Sequence, residues 1–361
     1  MQTIKAAVCR EFGKPLTIEE IQIDEPGPGQ VAVDIDAVAI CHSDISLAEG
    51  AWGGPLPAVF GHEGAGRVTA VGEGVRTVKP GDSVCVTLLA TCGECPTCSA
   101  GRPALCANKV TGAGGPVYDT DGGPMLQGLS CGAFAQKVVA VERQVVKIPD
   151  DVPKDSASLI SCGVITGVGA AVVSANIRPG QDVVVIGAGG VGLNAIQGAR
   201  IAGARRIVAV DMLPEKLEVA KEFGATDGVL ASDEKPWRAA MQAMGKGADA
   251  VLVTVGVIPA YQTAHRYLDR GGKVYMVGMP HGGAKAEYEP VVLAATAQGM
   301  IGSFMGDVVI QRDIPWMVDL YKQGRLKLDE LISKRWKLEE INEAIADTNS
   351  GAARRNVIVF D

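Results

Sequence analysis

Two textures of apolar and polar positions divide the chain. Up to about residue 150 the apolar residues come in short runs broken by glycine. VAVDIDAVAI (31–40) alternates early and then turns largely apolar, as a strand with one buried face does. RVTAVGEGV (67–75) and GDSVCVTLLA (81–90) read as further strands with turn signals between them. After Cys162 the pattern changes. Strand-like VVVIGAG (183–189) runs into helix-like VGLNAIQGARIAG, and strand-like RIVAVD (206–211) is followed by helix-like PEKLEVAKEFG and a short DGVL. ADAVLVTVG (248–256) and GGKVYMVGM (271–279) continue the alternation. Apolar strands spaced by amphipathic helices predict a parallel, doubly wound sheet. The tail is mixed again, with helix-like IPWMVDLYKQG (314–324) and LEEINEAIADTNSG (338–351) before a last strand, RNVIVFD, and it is expected to rejoin the first domain.

Length and charge narrow this picture. At 361 residues the chain is expected to form two domains of about 150 residues each. It is 47% hydrophobic but only 4% aromatic, and its 46 glycines imply many tight turns. The 34 basic against 41 acidic side chains give −7, which argues against a nucleic-acid partner, since phosphate binding needs a basic footprint. No unbroken run of about 18 apolar residues predicts a membrane span. The start, MQTIKAAVCREFG, lacks the layout of a signal peptide. The expectation is a soluble, cytoplasmic α/β protein.

The chemistry-bearing motifs are cysteine, histidine and glycine patterns. Cys92, Cys95, Cys98 and Cys106 read C-x-x-C-x-x-C-x7-C, and four thiolates on one loop suit a closed, tetrahedral structural zinc site. A disulfide pair is the alternative, but it would strand the other two cysteines and nothing suggests export. Gly187, Gly189, Gly190, Val191 and Gly192 fall in a G-x-G-x-x-G turn directly after an apolar strand, a dinucleotide-binding arrangement. The next strand ends in Asp211, where a carboxylate accepts both ribose hydroxyls of NAD and repels the extra phosphate of NADP; its rival role is a strand-end cap. Lys216 is either a further ribose contact or a solvated helix lysine. Cys41, His62 and Cys162 make a second donor set, two sulfurs and one nitrogen, whose open fourth position is the layout of a catalytic zinc. Singly each has a plain reading as a buried thiol or a core histidine.

With these motifs together, the chain resembles the zinc-dependent alcohol dehydrogenase family of the medium-chain dehydrogenase/reductase superfamily. The likeness runs nearly end to end through GHEGAG (61–66), the four-cysteine lobe, SCGVITG and GAGGVG. It implies a GroES-like, β-rich catalytic domain from residues 1–163 and 305–361, and a Rossmann NAD-binding domain from 164–304. It implies two zinc ions per chain, NAD, and oxidation of a primary, secondary or aromatic alcohol by hydride transfer from a zinc-bound alkoxide. Asp44 is then the partner of the other ring nitrogen of His62, and Glu63 stands behind the metal, either helping ligand exchange or serving as a structural carboxylate. Ser43 matches the first proton-relay hydroxyl, with a helix-capping serine as its rival. His42 and Arg355 match contacts to the NAD pyrophosphate, with Arg354 the rival of Arg355, and Thr166, Val277 and Gly278 match further cofactor positions. Trp52, Leu88, Leu129, Met279 and Phe304 are aligned with the substrate pocket or with ordinary core. One departure is Ser46, where many relatives carry the imidazole that ends the relay. The segment 107–131 is expected to be a lobe bordering the cleft or a subunit contact, and the chain to form a homodimer or homotetramer.

Rivals within the same family act on a thiol adduct of formaldehyde or on a CoA-linked hydroxy substrate. A zinc-free quinone or enoyl reductase would lack the Cys41, His62 and Cys162 set. A non-enzymatic zinc-binding protein has no need of a complete catalytic set.

Overall fold

The computed structural model describes residues 1–108 and 115–360. The chain divides into two compact units, Met1–Cys162 with Val309–Asp361, and Gly163–Val308. Part of the glycine-rich segment 107–131 therefore lies outside the described residues.

The first unit carries two sheets among the described residues. Five short strands form one, in which Gln2–Cys9 pairs antiparallel with Thr17–Ile23 and with Ala58–Val59. The second has seven strands built around Gln30–Ala39, which pairs antiparallel with Glu63–Val71, Lys137–Val141 and the closing strand Arg355–Val359. Val31, Val33 and Ile35 are buried while Asp34 and Asp36 are exposed, so the alternation over this part of the sequence is the two faces of the strand. The strand expected over 67–75 is shifted: it begins at Glu63 and ends at Val71. Gly72 ends it by close packing, since a Cβ there would lie 1.8 Å from the Gly27 carbonyl oxygen. The earlier start places Glu63 at the strand's head, opposite Ala39 in register, with His62 immediately before it.

The second unit is a six-stranded parallel sheet ordered Asp227–Leu230, Arg206–Asp211, Asp182–Ile186, Ala248–Val253, Leu268–Met276, Gly299–Gly302. The order reverses between Asp182–Ile186 and Ala248–Val253, and ligands of such sheets bind beyond the carboxyl ends of the strands at that reversal. Val183, Val184 and Val185 are all fully buried, which is why this strand reads as a continuous apolar run.

One stretch differs from its expectation. Lys154–Ser174 is helical throughout and, by length and composition, long and apolar enough to cross a membrane. Its glycines, serines and Thr166 break the apolar run a sequence scan looks for. In its most apolar window 89% is buried inside the protein, so it meets the criterion as a core helix does. Cys162 sits in a π-type turn, Ile160–Val164, a widened turn often found at functional positions.

Candidate active site

Three separate segments bring one cluster together within the first unit. Cys41 caps the short helix His42–Ala48, His62 and Glu63 head the strand after Gly61, and Cys162 comes from the buried helical stretch. Their ligand atoms, one from each of Cys41, His62, Glu63 and Cys162, all lie within 4.8 Å of one another. Gly61 makes the approach possible: its φ is +90°, and a Cβ would lie 2.5 Å from the Phe134 amide nitrogen.

Asp44 is the hub of the arrangement. Its Oδ1 accepts from His62 Nδ1 at 2.8 Å and from the Gly61 amide at 2.9 Å, and its Oδ2 accepts from the Cys41 amide at 3.4 Å. With Nδ1 so engaged, the other ring nitrogen, Nε2, is the one left for a metal. Ser43 Oγ donates to Cys41 Sγ at 3.2 Å and lies 3.4 Å from His62 Nε2, which puts its hydroxyl at the edge of the cluster. The Arg355 guanidinium donates to Glu63 Oε2 and, at 3.2 Å, to the Ile40 carbonyl.

Nearly all of this is dry. His62 and Glu63 are fully buried and Asp44 and Arg355 nearly so. Bonding from Cys162 holds the Cys41 thiol well below its ordinary range against the effect of burial, and the same contact with burial drives Cys162 well above it. Burial opposes charge on His62, but Asp44 and Cys41 outweigh it and raise the ring's pKa. Burial likewise pushes Glu63 up to about 8, countered by Arg355. Glu63 Oε1 is buried with no hydrogen-bond partner among the described residues. Two thiols, an imidazole with its far nitrogen fixed, and an orphaned carboxylate oxygen make a donor set short of positive charge. That set fits a zinc ion.

The other cluster is local. The sulfurs of Cys92, Cys95, Cys98 and Cys106 also lie within 4.8 Å of one another. Cys106 Sγ stands 3.6 Å from Cys92 Sγ and 3.9 Å from Cys95 Sγ. Backbone amides point at the sulfurs: the Cys92 amide donates to Cys106 at 3.4 Å and the Cys95 amide to Cys92 at 3.3 Å. The Thr97 hydroxyl and the Cys98 amide pull Cys95 down to about 5, while burial pushes Cys98 up to about 12. Four sulfurs with no other donor fit a closed structural zinc site.

The glycine turn belongs to the second unit. Gly187 takes φ +97°, a turn open to glycine, and Gly189 begins the helix Gly190–Ile201. A Cβ on Gly192 would lie 1.8 Å from the Gly187 carbonyl oxygen, so helix and turn touch backbone to backbone. Asp211 ends the neighbouring strand, and its carboxylate accepts from the Ala188 amide at 2.7 Å and the Leu213 amide at 3.2 Å. The turn, the helix N-terminus and this carboxylate are thus fixed to one another, which is the geometry a dinucleotide needs.

The remaining candidates are placed as follows. His42 is exposed, Val191 and Lys216 are half-buried, and Thr166 is buried, donating to Met305 Sδ at 3.5 Å. Val277 and Gly278 both donate their amides to the Val253 carbonyl, at 3.0 and 2.9 Å. Trp52, Leu88 and Leu129 are half-buried in the first unit. Leu129, at φ 50°, faces a cavity of about 980 Å³ whose described lining contains no donor of either cluster. In the second unit Phe304 is half-buried and Met279 is 58% exposed. Arg354 is half-buried and donates to the Glu330 carbonyl at 3.0 Å. Sequence reasoning assigned Arg355 to the cofactor alone and missed its pairing with Glu63, 292 residues away, which no spacing signals.

Comparison with known proteins agrees with this construction. The alcohol dehydrogenase GroES-like domain matches residues 27–150 and the zinc-binding dehydrogenase domain matches 190–323. The NDMA-dependent alcohol dehydrogenase of Amycolatopsis methanolica is 37% identical over 375 residues, covering 98% of each chain. Geraniol dehydrogenase of Castellaniella defragrans is 37% identical over 366 residues, covering 99% of this chain and 97% of that one. The crystal structure of benzyl alcohol dehydrogenase from Acinetobacter calcoaceticus superposes with a TM-score of 0.94 at 30% identity over 100% of both chains. Fold and donor sets together are those of a zinc-binding dehydrogenase. The chain belongs to the zinc-dependent alcohol dehydrogenase family of the medium-chain dehydrogenase/reductase superfamily, and it is an alcohol-oxidising enzyme.

Proposed function

We propose that the enzyme oxidises a primary, secondary or aromatic alcohol to an aldehyde or ketone with NAD as hydride acceptor, using one catalytic and one structural zinc. The observation that carries this is the buried cluster of Cys41, His62, Glu63 and Cys162, with His62 oriented by Asp44 and the Glu63 Oε1 left without a partner. Cys41, His62 and Cys162 hold the catalytic ion, with Glu63 beside it. When bound, zinc supplies a Lewis acid at the substrate oxygen, and NAD supplies the hydride acceptor.

The chain's own groups do the rest. Ser43, at the edge of the cluster, takes the proton from the substrate hydroxyl. Ser46 supplies no imidazole to pass it on, so with NAD bound the relay would end at the cofactor ribose and water, or at a different base. Asp211 holds the adenine-side ribose, with Lys216 beside it, and selects NAD over NADP by charge. His42 and Arg355 contact the pyrophosphate, and Thr166, Val277 and Gly278 seat the nicotinamide end. Trp52, Leu88, Leu129, Met279 and Phe304 are offered as pocket residues, apolar walls that favour uncharged alcohols.

Self-association as a homodimer or homotetramer is part of the same proposal. In support, Gly299–Gly302 ends the parallel sheet with one edge unpaired among the described residues; Ile301 within it is 41% exposed, and Val291 and Tyr288, shortly before it in the chain, are 70% and 51% exposed. A cytoplasmic setting is supported by six of the nine cysteines, four in the loop and two in the buried cluster, being ligands that a reducing compartment keeps as thiols.

The test is metal analysis with a screen over alcohols, following NAD and NADP separately. Two zinc ions per chain and a preference for NAD are expected. A preference for NADP overturns the role of Asp211. Turnover that requires added glutathione or a CoA thioester replaces the simple alcohol with the thiol-linked alternatives. Because one relative is named NDMA-dependent, the screen carries an arm with NDMA; turnover seen only there removes free NAD as the acceptor.

A further inference from the structure

A tyrosine buried under the second unit's sheet reaches the turn assigned above to the nicotinamide. Tyr261, on the helix Ile258–Ala264, is 8% exposed and packs in a core with Val251, Val253 and Val274. A phenol hydroxyl in such a core needs a partner, and this one donates to the Gly278 carbonyl. Burial pushes the phenol up to about 12, so it stays protonated and a donor through the working pH range.

The turn is held from the other side as well. The amides of Val277 and Gly278 converge on the Val253 carbonyl, at 3.0 and 2.9 Å. A Cβ on Gly278 would lie 2.4 Å from the Val255 carbonyl carbon, and one on Gly256 would lie 2.3 Å from the Met279 carbonyl oxygen. No side chain fits between these backbones, so both polar groups of Gly278 are pinned inward.

Peptide planarity turns this into a statement about what faces outward. Among the described residues only Leu56–Pro57 is cis. In a trans peptide the C=O and the following N–H point in opposite directions. Pinning the Gly278 amide on Val253 therefore directs the Val277 carbonyl away from the strand Ala248–Val253. Pinning the Gly278 carbonyl on Tyr261 directs the Met279 amide away from the helix. One acceptor and one donor, on successive peptides, are thus turned away from these two anchors just beyond a strand end. A primary carboxamide, with an NH₂ donor and a carbonyl acceptor, is their complement.

We infer that Tyr261 is a positioning residue for the nicotinamide: its hydroxyl fixes the Gly278–Met279 peptide so that this turn meets the cofactor's carboxamide. The inference rests on the NAD reading above. It assigns Tyr261 no contact with substrate or cofactor.

The experiment uses the zinc-loaded enzyme with Tyr261→Phe, which keeps the ring and removes only the hydroxyl. NADH and ADP-ribose binding are measured by fluorescence and calorimetry, beside steady-state kinetics and melting. The expected result is NADH binding weakened and KM for NAD raised by about fivefold to tenfold, the loss of one buried hydrogen bond. Dissociation of ADP-ribose, which lacks the nicotinamide, and kcat at saturating NAD stay within about twofold of wild type. Tyr267→Phe, a change to another buried tyrosine of the same core, should leave NADH binding unchanged. Equal NADH binding by wild type and Tyr261→Phe overturns the inference while leaving the NAD reading intact. Equal loss of NADH and ADP-ribose binding overturns it as well, since the effect is then general. A wild-type enzyme that binds neither overturns both.

Discussion

The two sulfur clusters are built from similar donors at similar spacing and are opposites in construction. In one, Cys92 to Cys106 span a single loop, and their surroundings are backbone amides and the Thr97 hydroxyl. In the other, donors from residues 41, 62, 63 and 162 are gathered by a helix cap, a strand head and a buried helical turn, with Asp44 and Arg355 as buried counter-charges. A loop that organises its own ligands needs nothing from the rest of the fold and leaves no position open. A site that must accept a changing oxygen ligand has its donors held by separate rigid elements, each oriented by a further partner.

The largest effect that contrast predicts is on Cys41. Cys41→Ser should lower turnover well beyond the roughly 100-fold that outer-partner changes cost, and drop the metal content from two ions to one with a folded chain. Circular dichroism and metal analysis on the same sample check it. Cys92→Ser should do the reverse, losing one ion and several degrees of melting temperature while the folded fraction keeps most of its turnover. If Cys92→Ser leaves both ions in place, the local cluster is not a zinc site.

Asp44→Asn probes the support beneath the buried cluster. Asp44 accepts from three donors, and the amide keeps its shape while removing charge and one acceptor. A loss of about 10- to 100-fold in zinc affinity is expected, read by competition with a chelator. An unchanged affinity would mean that His62 is oriented by packing alone.

The smallest effect serves as a baseline outside both clusters. Lys147 and the Lys79 amide hold the Asp82 carboxyl below its ordinary range. The folded pKa is depressed, so the stabilisation is present above the unfolded value near pH 4 and is lost as pH falls through the folded one. With Lys147 more than half exposed it is worth under about 1 kcal/mol. Asp82→Asn should melt slightly lower than wild type at pH 7, and the gap should close toward pH 3. A gap independent of pH would assign the effect to packing.

What was legible in the sequence follows the same division. The four-cysteine loop and the glycine turn are local, so spacing alone exposed them. The Rossmann-type alternation was legible because burial on both faces makes strands such as Asp182–Ile186 continuous apolar runs. The buried cluster became credible only as a constellation beside the cysteine quartet and upstream of the nucleotide fold, since nothing in residues 41, 62 and 162 taken singly separates a ligand from a core thiol or histidine. The Glu63–Arg355 pair was invisible because it joins two strands across most of the chain. The helical stretch 154–174 escaped because small and polar residues interrupt its apolar pattern, although most of it is buried.

The closing strand Arg355–Val359 carries a consequence for how the molecule comes into being. It pairs with Gln30–Ala39, and Arg355 supplies the counter-charge of Glu63. Synthesis runs from the amino end, so the second unit, Gly163–Val308, is made whole while the first still lacks its final strand. The later-made unit is free to fold first. The acidic half of the buried pair waits for a partner made 292 residues later.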